Sequence, residues 1–123
     1  VDLRNSGFKL APVDMNLFPG GFNNLNPDFS PLAIQASSVA IEKVCPEAKR
    51  VLIIPEKHTR NLFYLKNLYQ LKEILKNSGL EVRIGSVDTS VLESTNIDID
   101  ENQFITIEPI SRREDFLFLK NII

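Results

Sequence analysis

Residues 50–87 read RVLIIPEKHTRNLFYLKNLYQLKEILKNSGLEVRIGSV, and this stretch decides the fold expected of the chain. Arg50-Val51-Leu52-Ile53-Ile54 is short, continuously apolar and β-branched, the pattern of a strand buried on both faces of a parallel sheet. Pro55 closes it. Thr59 can cap a helix over roughly residues 60–77, where Leu62, Leu65, Leu68, Tyr69, Leu71, Ile74 and Leu75 recur at helical spacing. Lys72 and Lys76 suit the C-terminal end of its dipole, and Gly79 stops it. From Leu80 to Val87 the pattern alternates, with Leu80, Val82 and Ile84 inward and Glu81 and Arg83 outward or at the mouth.

Upstream, Ser30-Pro31 starts a second helix over Leu32 to Val44, whose Leu32, Ala36, Val39, Ala40 and Ile41 can share a face. Pro46 forces Cys45 out of helical angles. Before that helix, Phe8-Lys9-Leu10-Ala11-Pro12-Val13 reads as a first strand. The expected order is therefore strand, helix, strand, helix, strand. It predicts one α/β domain over residues 1–123 with a Rossmann-like, mostly parallel sheet flanked by helices. Downstream, Asp98-Ile99-Asp100-Glu101-Asn102 reads as a solvated acidic turn before a strand at Phe104–Ile107, and an antiparallel edge hairpin with 92–99 fits there. Ser111 to Asp115 reads as a charged connection to a last strand beginning at Phe116.

Composition narrows the function classes. The 123 residues are 43% hydrophobic, enough for one core, with a formal net charge of −2. No basic tract with interleaved aromatics suggests nucleic acid, and no apolar stretch approaches a membrane span. Cys45 is the only cysteine, which excludes an internal disulfide and suits a cytoplasmic setting. The chain opens on Val1 and closes on the apolar run Phe116–Ile123, which suggests a domain excised from a longer polypeptide. An exposed terminal strand would also allow a homo-oligomer.

Open α/β sheets bind ligands beyond the carboxyl ends of their strands. Three such ends carry polar groups here: Asp14, Asn16, Gly20-Gly21, Asn23 and Asn24; Glu56, His58, Arg60 and Asn61; and Asn121. Arg4 and Asn5 lie just upstream of the first. At a helix N-terminus, free N–H groups favour carboxylate or phosphate, and Arg60 could grip a carboxylate through two hydrogen bonds. A plain cap at Thr59 with solvated charges explains the same loop. Asparagines can meet both ammonium and carboxylate groups of an amino acid, or simply brace the loop that carries them. His58 could move a proton, although a hydrogen-bonded loop histidine is the commoner case. No GxxxxGK[ST] or GxGxxG pattern is present, and a lone histidine with a lone cysteine offers no transition-metal set.

Three long strings then become informative together: RNSGFKLAPVDMNLFPGGFNNLN at 4–26, IIPEKHTRNLFYLKNLYQLKEIL at 53–75 and GLEVRIGS at 79–86. They resemble the N-terminal part of the proteobacterial glutamate–cysteine ligases, and FLFLKN at 116–121 continues the resemblance faintly. The resemblance implies a pre-ATP-grasp-like N-terminal domain. It also implies ATP-dependent joining of L-glutamate to L-cysteine, the first step of glutathione synthesis. ATP would convert the γ-carboxylate of glutamate to an acyl phosphate, and the cysteine amine would displace phosphate, with Mg2+ clamping the phosphates. ATP and Mg2+ are expected on the full-length enzyme and not on this piece, which alone is expected to be inactive. The family likeness makes Arg4, Arg60, Asn16, Asn24 and His58 candidates for an amino-acid pocket. Within it Arg60 would meet a carboxylate, Asn16 and Asn24 would orient, and Glu56 or Asp14 would meet an ammonium. A non-catalytic small-molecule binder or an assembly domain are the alternatives.

Overall fold

The computed structural model describes residues 2–14, 20–56, 61–88, 90–113 and 116–119. Its most regular unit is the one whose pattern is clearest in sequence. Strand β3 (Arg50–Ile53), helix α2 (Leu62–Asn77) and strand β4 (Glu81–Ser86) form a β-α-β unit in which β3 and β4 run parallel, from Arg50 opposite Glu81 to Ile53 opposite Ile84. Helix α2 is capped by Asn61, not Thr59: the side-chain Oδ1 of Asn61 accepts the Phe63 N–H at 2.9 Å. It ends where Gly79 takes φ 90° and Leu80 N–H reaches back to the Leu75 carbonyl. That six-residue closure needs a residue without a Cβ penalty.

The rest of the sheet keeps the expected antiparallel edge hairpin, Thr95–Asp100 against Gln103–Arg113, but otherwise departs from expectation. Strand order is β3-β4-β6-β5, with β6 (Gln103–Arg113) parallel to β4 but antiparallel both to β5 (Thr95–Asp100) and to β7 (Phe116–Leu119). The sheet is mixed, and the Rossmann-like, mostly parallel arrangement flanked by helices is not formed. One physical reason lies in residues 87–102. They carry no helical periodicity, so β4 reaches its parallel partner β6 through the edge strand β5, not through a helix. The acidic turn shrinks to Glu101-Asn102, with Asn102 at φ 60°, and Ser111 to Arg113 continue β6 instead of leaving the sheet.

A second reason lies at the start of the chain. The run at Phe8–Val13 does not enter the main sheet. Strand β2 (Leu10–Asp14) pairs antiparallel with β1 (Asp2–Asn5) in a separate two-stranded sheet. Gly7 and Phe8 make the turn between them; Ser6 N–H donates to the Lys9 carbonyl at 3.0 Å and Gly7 takes φ 94°. Glycine in the first central position is what a two-residue hairpin turn favours. Helix α1 (Ser30–Val44) thus has no preceding strand in the sheet to cross from. It packs on α2, where the Ser78 hydroxyl lies 3.3 Å from the Ile34 carbonyl.

The core lies between α2 and one face of the sheet. Leu65, Leu68, Leu71 and Leu75 meet Ile53, Ile84, Ile99, Ile105 and Ile107, with Leu68 and Ile105 fully enclosed. The opposite face carries Leu52, Arg83, Gly85, Thr106, Glu108 and Ile110. There a Cβ on Gly85 would come within 2.6 Å of the Ile110 side chain and 3.2 Å of Leu52, so the glycine makes room for an apolar cover. No helix of the described residues is long and apolar enough to cross a membrane.

Candidate functional site

The register places several strand ends on one rim. Ile53 stands opposite Ile84, Ser86 opposite Pro109, and Leu119, the last residue of β7, opposite Ile110. Strands β3 and β4 therefore leave the sheet on the same side, whereas β7 ends level with that rim but runs the opposite way, antiparallel to β6. The N-terminus of α2 opens there as well, directly after the exit of β3.

Two hydrogen bonds shape this rim. Glu56 N–H donates to the Tyr64 hydroxyl at 2.7 Å, which draws the exit of β3 against the first turn of α2. Burial pushes the Tyr64 hydroxyl above its ordinary range. The Glu56 hydrogen bond pulls it partly back, and the Glu56 charge adds to the rise. The second bond fixes the glycine loop. Phe22 N–H donates to Oδ1 of Asn67 at 2.9 Å, and Asn67 is only 4% exposed on the core-facing side of α2. Phe22 packs against the core, and a 3-10 turn over Phe22–Asn24 follows Gly21 at φ 84°. Asn67 lies six residues beyond Asn61, about 9 Å along the helix. The clip therefore holds Asn23 and Asn24 beside the N-terminal half of α2.

The exit of β4 is braced in the same manner. Ser86 is buried and its Oγ accepts the Asp88 N–H at 3.1 Å, while Asp88 accepts the Ser90 N–H at 3.0 Å. On the sheet face away from α2, Arg83 grips Glu108 through two hydrogen bonds, one of them Nε to Oε2 at 2.7 Å. Their side chains keep only 26% and 12% of their exposure. The Arg83 guanidinium holds the Glu108 carboxyl below its ordinary range, against the upward pull of burial. Arg83 is raised in return, by the same hydrogen bonds.

The candidate residues divide accordingly. Glu56, Asn61, Asn23 and Asn24 are gathered about the N-terminal half of α2. Asn61 uses its side-chain Oδ1 as the helix cap. Arg4 and Asn5 lie on β1 and Asp14 ends β2, so all three belong to the separate hairpin. Asn5 accepts the Gly7 N–H at 2.9 Å, a turn brace. Asn16, His58, Arg60 and Asn121 lie outside the described residues. Sequence reading missed Asn67, Ser86 and the Arg83–Glu108 pair. Asn67 had a signal, since it shares the apolar stripe of Leu71 and Ile74. Among the described residues no group of three or more His, Cys, Asp or Glu side chains is placed to hold a metal ion.

With this geometry in view, the comparisons are decisive. The family model described as glutamate–cysteine ligase matches residues 1–123. The chain belongs to the glutamate–cysteine ligase family. A crystal structure from Methylobacillus flagellatus KT, assigned as a gamma-glutamylcysteine synthetase, shares 58% sequence identity and superposes with a TM-score of 0.86. The match covers 98% of this chain and 28% of that one, so this chain spans under a third of that relative's length. Curated protein sequences give no match. The mixed sheet, not a doubly wound one, is thus the architecture through which this family member presents its rim.

Proposed function

We propose that this chain is one part of a longer ATP-dependent ligase that joins L-glutamate to L-cysteine, the first step of glutathione synthesis, in the cytoplasm. The observation that carries the reading is the family match over every residue, supported by 58% identity to a protein assigned as a gamma-glutamylcysteine synthetase. A non-catalytic binder has no comparable support.

The chemistry asks for a carboxylate to be activated and an amine to be held in line. ATP yields its terminal phosphoryl group to the γ-carboxylate, and the cysteine nitrogen then displaces phosphate to form the amide. ATP and Mg2+ would sit on polypeptide that the longer relative carries and this chain does not. The share proposed for this chain is to help hold an amino-acid substrate at the rim. The N-terminus of α2 favours a carboxylate there. Arg60, next to the Asn61 cap, would pair with it, with His58 nearby on the same loop. Asn16, Asn23, Asn24 and Asn121 would orient the remaining polar groups, and Glu56 or Asp14 would meet the ammonium. Arg4 and Asn5 would contribute only if the hairpin folds toward the rim.

The test is ADP release by the full-length enzyme. Release that requires glutamate and cysteine together is the expected result. Release indifferent to either amino acid would return the domain to the binder class.

A further inference from the structure

The hairpin β1–β2 is the least supported part of the fold. Among the described residues it pairs only with itself and makes no extensive packing with any other element. Yet it is apolar where it should not be. Leu3 stands opposite Pro12 and Asn5 opposite Leu10, which sets Leu3, Leu10 and Pro12 on one face with Asn5 as its one polar member. Leu3 is 60% exposed, Leu10 63%, and Phe8 at the turn 92%. Arg4 and Ala11 form a pair on the other face. A lone two-stranded hairpin is marginal in water, and one with three large apolar side chains exposed has a face that wants a cover.

We infer that the Leu3–Leu10–Pro12 face of this hairpin, with Phe8 at its turn, docks on the portion of the ligase polypeptide that the longer relative possesses beyond the matched region. Three observations favour that occupant. The match to the relative covers 98% of this chain, so the hairpin is part of what the two share. The greater part of the relative's length lies outside the match and is tethered to it. A hairpin of 13 residues is also too small to hold a free partner, since stable interfaces between separate chains use about 20–30 residues a side. A tethered partner needs far less contact, because its effective concentration is already high.

This inference rests on family membership and not on the reaction proposed above. It can therefore fail or succeed whatever the ADP assay gives. Amide hydrogen exchange would be followed in two proteins, this 123-residue chain and the full-length Methylobacillus flagellatus protein, over the peptides that span Leu3 to Leu10 and their counterparts, with the peptides of α2 read alongside and required to be protected in both. The expected result is near-unprotected exchange in the short chain and exchange on the order of 100-fold slower in the long one. Equal protection in both would overturn the docking. So would protection in the short chain that grows with its concentration, which would assign the face to a second copy of the chain.

Discussion

Replacing Asn67 by alanine should release the glycine loop from α2. The Asn67 carbonyl oxygen is the acceptor for the Phe22 N–H at 2.9 Å, and the residue is 4% exposed. Truncation leaves a half-buried backbone donor without its partner, which costs about 1–3 kcal/mol. For a domain of this size 2 kcal/mol corresponds to a fall in melting temperature of roughly 5–10 °C. A thermal melt measures the global cost, and amide exchange at Phe22 locates it. Asn67→Ala should melt lower and lose protection at Phe22, Asn24 and Leu25, the last two because their N–H groups close the same 3-10 turn. Asn67→Asp keeps an acceptor oxygen and should retain more of the Phe22 protection at neutral pH. An alanine variant with wild-type melting and undiminished Phe22 protection would refute the clip.

Other predictions concern the sheet. Glu108→Gln should cost about 1–2 kcal/mol, less than breaking a fully buried pair because water still reaches both groups. The folded-state pKa of Glu108 is depressed, so its stabilisation is complete above the ordinary glutamate range and is lost as pH falls through the depressed value. Denaturation midpoints between pH 3 and 7 should accordingly fall less steeply toward acid in Glu108→Gln than in the wild type. Gly85→Ala should cost about 1–2 kcal/mol through the 2.6 Å approach to Ile110, and Ile110→Ala in the same chain should return part of it, as a double-mutant cycle would measure.

What the sequence made legible follows the strength of each local signal. The β3-α2-β4 unit could be read nearly to its ends, because a β-branched run, a leucine stripe and a terminal glycine agree with one another. The shift of the cap from Thr59 to Asn61 is a competition between neighbouring residues that both make good caps. The mixed sheet was legible only in its antiparallel hairpin of Thr95–Asp100 with Gln103–Arg113. Phe8–Val13 looks like any apolar strand, and only Ser6-Gly7 hints at a turn that sends it back along Asp2–Asn5. Parallel register is not encoded by any local pattern, so nothing in the sequence announces that Arg83 and Glu108 meet. Asn5 and Asn61 spend their side-chain oxygens on local backbone, whereas Asn67, read as part of a helix, secures the loop that carries Asn23 and Asn24.

The central proposal is that the rim at the start of α2 receives an amino-acid carboxylate, and the glutamate KM of the full-length ligase bearing Arg60→Ala tests it most directly. Loss of a charge-assisted pair worth about 1.5–3 kcal/mol predicts a rise of about 10- to 100-fold in glutamate KM, with cysteine KM little changed. A glutamate KM equal to that of the wild type would contradict the account.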